Sequence, residues 1–566
     1  MKKVKNLFGM AVMATALVGC SSNDNLNPNA NDNAGKTGEA YASFKINLPT
    51  TSGTRATAGE PTFDGGTANE YAVNDATLLV FKKDGAEYKY IETVDLGSMV
   101  PWTKQDPANS GITTTATVTA KLTNASVGGS DEYYALILLN NNVGATNKKV
   151  ILPTATTDTY ANWSKTATNA NAANYLKYDN GFFMANAPKY VADGEPETLV
   201  KISAIYASKQ QAEISAATTV YVERGLAKVT MKDFDSEYSI ADGTYKDAKV
   251  EIKNWQLDVT NNSTFPVHQT AGLKTSWDQI WASTRFYDGS STAAFQRVYW
   301  GVDPNYDNSD YQTDLDKCKA DFKMITKDDV LGVTSKPQYC LENTFDLDNM
   351  KQGQTTRVVF KAVFTPKGFT DTEKTFYKMG NNTAIWKEED IKKQILAKAQ
   401  EVLNEADASK VIVTLDAPTN NLTKAGVRLV ATVNVTHDGN PISEDDAKKI
   451  NAKLGFKKDD TTNAIEVGLS TFENGEAYYI ARIKHFNELT PWTAGNAYAG
   501  DNEKYLGRYG VLRNNWYELS VSSISGLGYP DVPEVKPNVP DDENDQYINV
   551  EVKILDWAKR SQSIVL

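Results

Sequence analysis

Histidine and cysteine are almost missing from this chain, with three of each in 566 residues. Transition-metal centres and thiol redox sites are built from those residue types at close spacing. Here His268, His437 and His485 stand far apart and outside any HExxH-like pattern, and each reads as a surface or strand histidine. Clustered Lys and Arg are missing as well. With a net charge of −12 and a pI near 5.1, the chain has no means of neutralising a phosphate backbone, so nucleic acid is excluded as a partner. Nothing matches a nucleophile elbow, a phosphate loop or a dinucleotide fingerprint. The expectation is a protein with no catalytic residues, no metal, no cofactor and no enzyme activity. Acidic stretches do occur: DGSST at Asp288, DPNYDNSD at Asp303 and DDENDQ at Asp541. The first comes near an Asp-x-Ser-x-Ser metal-ion pattern but lacks the alternating strands and helices of that fold, and the other two lack the spaced Gly and terminal Glu of a calcium loop, so they read as solvated loops.

What the chain has in quantity is β-forming residues. Twenty-eight Tyr, ten Trp and many Thr and Val in short runs point to strands, and the length points to two or more domains. Strand-like runs recur at Leu78 to Phe81, Tyr133 to Leu139, Val220 to Met231, Val358 to Phe364 and Tyr478 to Phe486. Two helical patterns interrupt them: WKEEDIKKQILAKAQEVLNEA, with Ile391, Ile395, Leu396, Val402 and Leu403 on one stripe, and ISEDDAKKINAKLGF, with Ser443 placed as an N-cap. Both read as covers for a sheet. The expected fold is mainly β, built of β-sandwich domains with a few inserted helices. The first domain is expected to run over 56–245 and the second over 246–530.

The two ends carry the most information. Lys2, Lys3 and Lys5 precede a short apolar segment from Leu7 to Val18, which makes residues 1–19 an export signal rather than a membrane span. Leu17-Val18-Gly19-Cys20 resembles the bacterial lipobox, which predicts lipid on Cys20. An Asn-rich spacer follows. Then Ala42, Phe44, Ile46 and Leu48 alternate with polar residues, the period of a half-buried strand, and a Thr/Ser/Gly loop around Arg55 comes straight after. At the other end DVPEVKPNVPDDENDQ reads as a tether, and Ile548, Val550, Val552 and Ile554 alternate again before Trp557, an anchor-sized side chain. A sandwich lacking one strand exposes an apolar groove with unpaired backbone groups, which another strand can fill by β-augmentation. Repeated head to tail, that contact makes a filament. A cut between Arg55 and Ala56 would release the first strand and open such a groove. The bland alternative is that each terminal strand completes its own sandwich.

The lipobox LVGC, the TRA site at Thr54 to Ala56, VERGLAKV from Val222, YCLENTFD from Tyr339, VLRNNWYELSVSSISGLG from Val511 and the ending NVEVKILDWAKRSQSIVL together resemble the Bacteroidales type V pilus fimbrilins, of the major and short-fimbria types. The resemblance implies two transthyretin-like β-sandwich domains. It implies a lipoprotein precursor carried to the outer membrane, with residues 20–55 as a propeptide removed by an arginine-specific protease. It also implies that residues 531–566 are a linker and donor strand entering the emptied groove of another copy, in a surface fimbrium assembled with anchor and tip pilins for adhesion and biofilm formation. Two other readings stand beside this one: an adhesive tip or accessory pilin, and a surface lipoprotein binding glycans through aromatics such as Trp492 or Trp516. Cys318 and Cys340, left over after Cys20, are candidates for a disulfide or remain as two thiols.

Overall fold

A computed structural model describes residues 39–556 apart from 50–66, 98–102, 105–111, 144–146, 169–174, 178–180, 233–234, 236, 279–280, 282–294, 331–335, 371–372, 416–425, 459–464, 486–505 and 542–547. The expected signal, Cys20, Arg55, Ala56 and Trp557 lie outside the described residues. The fold is mainly β, and the longer strands of its first half are β1 (Ala40–Pro49), β2 (Ala76–Asp84), β3 (Glu87–Gly97), β4 (Ile112–Leu122), β5 (Tyr133–Leu139), β6 (Met184–Asn186) and β7 (Thr218–Arg224). They join side by side in the order β3-β2-β5-β6-β7-β1-β4. β7 makes the turn between two layers: Thr218 to Tyr221 pair with β1, and Val222 to Arg224 pair with β6. Between the layers lies a core of Phe44, Ile46, Leu48, Leu78, Val80, Ile137, Leu139 and Val220. β2 and β5 are buried on both faces, because a second apolar cluster holding Leu79, Phe81, Leu136 and Leu138 is covered by Trp163, Tyr175 and Val267. That double burial explains why LLVF and ALILL run apolar without alternation.

The second half contributes β8 (Leu226–Met231), β9 (Lys249–Asp258), β10 (Gln338–Leu341), β11 (Arg357–Thr365), β12 (Phe376–Met379), β13 (Leu469–Phe472), β14 (Glu476–Arg482), β15 (Asn515–Ile524) and β16 (Ile548–Asp556). One sheet has the order β10-β8-β15-β16, and another runs through β9, β11 and β14. Their facing sides meet around Val229, Val250, Trp255, Phe360, Phe364, Tyr479, Tyr517 and Leu519.

The passage between the halves comes at Gly225, earlier than the expected boundary at 245. VERGLAKV is two strands: Glu223 pairs in the first sheet, and Leu226 already pairs with Leu341 in the second. Glycine is required there, since a Cβ would come within 2.7 Å of the Tyr175 hydroxyl oxygen. The halves are also interwoven, because Val267, far along the chain, packs into the first half's outer cluster.

Between β11 and β14, adjacent and antiparallel in one sheet, the chain makes a long excursion. It leaves through β12 and returns through β13, with Phe376 stacked on Phe472 at 4.7 Å across the neck. The helices α1 (Glu388–Leu403) and α2 (Glu444–Lys453) lie in this excursion, and their Ile391, Ile395, Ala447 and Ile450 fill a core of its own with Val411, Val435 and Leu469. Ser443 caps α2 as expected, its Oγ accepting from the Asp446 N–H at 3.1 Å. Three acidic residues open each helix, where they suit the positive end of the dipole.

Candidate functional site: the first strand, the last strand and the junction between them

β1 is an interior strand. It pairs antiparallel with β4 from Ala40↔Leu122 to Pro49↔Ile112, and parallel with β7 from Phe44↔Thr218 to Asn47↔Tyr221. Ala42, Phe44, Ile46 and Leu48 are fully buried in the inter-layer core. On its other face the Thr115 hydroxyl donates to Asn47 Oδ1 at 2.7 Å, and Thr119 Oγ1 reaches Ser43 Oγ at 3.5 Å. Burying Phe44, Ile46 and Leu48 is worth roughly 5–9 kcal/mol at 1.5–3 per side chain, before ordering costs. Removing this strand would leave β4 and β7 as two facing edges with an apolar floor.

β16 sits differently. It is an outermost strand, antiparallel to β15 over Asn515↔Asp556 to Ile524↔Ile548. In this structure the tail strand therefore lies on its own subunit. The tether before it is docked rather than free as far as Asp541: Val532 and Val535 are buried, and Asp541 is wholly so.

Sequence reasoning overlooked what lies between these strands. VERGLAKV, YCLENTFD and VLRNNWYELS converge on the passage between the halves, where Glu223, Arg224, Lys228, Glu342 and Arg513 are buried and hydrogen-bonded. Glu70 receives Lys228 Nζ at 2.8 Å, the Tyr339 hydroxyl at 2.7 Å and the Thr67 N–H at 2.8 Å. Arg224 Nε donates to the Glu70 carbonyl at 2.8 Å, and Lys228 Nζ stands 3.6 Å from the centre of the Trp516 ring. A second group starts at Glu223, whose Oε1 meets His268 Nδ1 at 2.7 Å and whose Oε2 accepts from Arg297 Nε at 2.5 Å. Arg297 Nη2 donates to the Arg513 carbonyl at 2.8 Å, and Arg513 Nε donates to Glu342 at 3.0 Å. Asn514, next in sequence to Arg513, meets the first group, its Oδ1 accepting from the Arg224 N–H at 3.2 Å and Nη1 at 3.3 Å. Burial pushes the Glu223 carboxyl up, but Arg297 and His268 outweigh it and hold it at about 2. Burial likewise opposes ionisation of Glu70, and Lys228 and Tyr339 override it to keep the carboxyl below its usual range. One signal was present in the sequence. A Glu-Arg pair inside the apolar run VYVERGLAKV has to be paired if it is buried.

Several expectations need correction. His268 is a buried member of this network, and His485 is buried with Nδ1 2.8 Å from the Tyr517 hydroxyl, so neither is a surface histidine. Asp303 and Asn305 are not in a solvated loop. Asp303 accepts from the N–H groups of Thr344 and Asn305 at 2.6 and 2.7 Å, and burial still raises its carboxyl to about 7. Cys318 and Cys340 are free thiols in separate apolar clusters, so no disulfide joins them. Trp516 donates its indole N–H to Thr230 Oγ1 at 2.6 Å and packs on Lys228. Trp492 lies outside the described residues. Among the described residues no group of three or more His, Cys, Asp or Glu is placed to hold a metal ion, and no helix is long and apolar enough to cross a membrane.

Residues 470–563, which include β14, β15, the docked linker and β16, match the family described as major fimbrial subunit protein type IV, fimbrillin, C-terminal. That match covers the last part of the chain, 94 of its 566 residues. Among solved structures, this chain is similar to a candidate cell adhesion protein from Parabacteroides distasonis, at 10% identity and a TM-score of 0.38, covering 92% of this chain and 98% of that one. It is also similar to the C-terminally truncated tip fimbrial protein Mfa3 of Porphyromonas gingivalis, at 11% identity and a TM-score of 0.30, covering 91% and 100%. A fimbrial assembly protein from Parabacteroides distasonis matches at 12% identity and a TM-score of 0.28, covering 61% of this chain and 93% of that one. No curated protein sequence matches this chain.

Proposed function

We propose that this fimbrial subunit polymerises by exchanging strands: after export as a lipoprotein held at Cys20, cleavage by an arginine-specific protease between Arg55 and Ala56 frees β1, and the Ile548–Trp557 segment of a second copy takes its place. The observation that carries this reading is the interior position of β1. A chain's first strand, bonded on both sides and buried through Phe44, Ile46 and Leu48, leaves behind a ready-made slot when it departs. The incoming Ile548, Val550, Val552 and Ile554 repeat its alternation. The product is a non-enzymatic surface filament, with the outer membrane as the precursor's location and anchor and tip pilins as its other partners. Arg55→Ala should leave a lipidated, unassembled precursor, and deletion of Tyr547 to Leu566 should leave a folded monomer that forms no high-mass polymer. Polymers of normal length from either variant would refute the proposal.

One observation favours a second reading. β16 lies on its own β15, and a subunit that keeps its tail at home accepts a strand without donating one, as a terminal, adhesive subunit does. The tail deletion separates the two, because a terminal subunit still joins filaments made by other copies.

A further inference from the structure

The segment that reads as a tether is held to the body at several points. Tyr529 exchanges two backbone hydrogen bonds of 2.8 Å with Tyr478 in β14. Val532 then packs with Ile325, Val330, Val359 and Ile480. Arg357, whose Nε is engaged by Asp258 at 2.8 Å, donates through Nη2 to the Pro533 carbonyl at 2.6 Å. Val535 enters another cluster with Val259, Tyr311, Cys318 and Phe322. Pro537 lies so close over Gly353 that a Cβ there would come within 3.1 Å of the proline Cα. The Gln352 N–H donates to the Val539 carbonyl at 2.9 Å, and the Asp541 N–H to the Met350 carbonyl at 3.1 Å. Finally the Thr355 hydroxyl donates to Asp541 Oδ2 at 3.0 Å, with Asp541 completely buried. Three prolines, Pro533, Pro537 and Pro540, deprive the segment of donors. It therefore docks through its carbonyls, its valines, and the N–H and carboxylate of Asp541 rather than as an added strand.

We infer that residues 531–541 form a strap whose outer pin is Asp541, and that this pin limits how far the last strand can travel to a second copy of the chain. Six residues separate Asp541 from Ile548. Fully extended, they keep the start of the strand within roughly 25 Å of the pin. Released from Asp531 onward, the same strand would range to roughly 60 Å. Strapped subunits therefore follow one another in close succession, and the tail stays at a high local concentration beside its docking edge. The destination of the strand rests on the exchange proposed above, whereas the docking of the strap does not.

Hydrogen exchange on the full-length, unpolymerised protein tests the strap directly. The hydrogen-bonded amides of the strap, Val539 to the Lys536 carbonyl and Asp541 to the Met350 carbonyl, should exchange roughly a hundred-fold more slowly than in an unstructured peptide. Asp541→Ala should remove most of that protection from 537–541 while Tyr529 to Val532 keep theirs. Exchange of the unaltered strap at unstructured-peptide rates overturns the inference, and so does a strap indifferent to Asp541→Ala. The two proposals fail separately. A protected strap in a protein whose polymers survive loss of Tyr547 to Leu566 retains the docking and sinks the exchange. An unprotected strap in a protein whose polymers need that tail does the reverse.

Discussion

β1 and β16 look alike as sequence and are held in opposite ways. Both alternate apolar and polar residues and both lie near a chain end, yet β1 has a strand on each side and β16 has one on a single side. An interior strand can leave only by exposing two edges and the core beneath it, whereas an outermost strand peels from one ladder. Under the proposed exchange that asymmetry has a use: the strand proposed to leave is held on both sides, and the strand proposed to be donated is held on one side only.

The comparison can be broken most directly by side-chain deletion. Phe44→Ala should cost roughly 3–5 kcal/mol in denaturant unfolding of the uncut chain, against roughly 1 kcal/mol for Val552→Ala in β16. Equal costs would mean the two strands are held alike. Next in size is the junction that joins the two regions. Lys228→Met leaves the Glu70 carboxylate buried without its ammonium partner and should also cost roughly 3–5 kcal/mol, while adding Glu70→Gln should return part of the loss in a double-mutant cycle. Additive losses would show that the pair is not coupled. Native-state hydrogen exchange should then place β1 amides with global unfolding and β16 amides roughly a hundred-fold faster, through local opening.

A smaller effect follows from pH. Glu223 is held at about 2 in the fold, below its ordinary value, so its stabilising pairs are complete above the ordinary carboxylate range and are lost as pH falls from about 4 towards that folded value. Denaturation midpoints should fall over that window, and Glu223→Gln should flatten part of the fall. A slope unchanged by the substitution would remove Glu223 from the account. Smallest of all, a thiol reductant should leave the melting temperature unmoved, since Cys318 and Cys340 are free; a drop would reveal a disulfide.

Local pattern carried a good deal. The alternation of Ala42, Phe44, Ile46 and Leu48 marked a strand with one buried face, and that face is the inter-layer core. The stripe of α1 and the Ser443 cap of α2 followed from helical spacing and hydroxyl placement. Depth and partnership were not legible. Nothing in AYASFKINLP says that its neighbours are the distant β4 and β7, because strand pairing is decided by which edges meet when layers close. Glu223, Arg224 and Lys228 show no partner in the sequence, since a charge meets its partner only after chain segments far apart in sequence are brought together. DVPEVKPNVPDD looked like a leash because Pro and Asp usually mean solvent, but three of its residues find buried seats that the body had to provide.

By itself, then, the sequence determined the elements: the β-rich composition, the two helices, the period of each terminal strand and the fimbrillin signature of the last hundred residues or so. These follow from local periodicity and capping, which act over a few residues. Only the tertiary structure decided that β1 is interior and β16 outermost, that two groups of buried charges gather on either side of Gly225, and that the tether is docked as far as Asp541. Burial, desolvation and hydrogen-bond partners are properties of the assembled layers, and no stretch of chain possesses them alone.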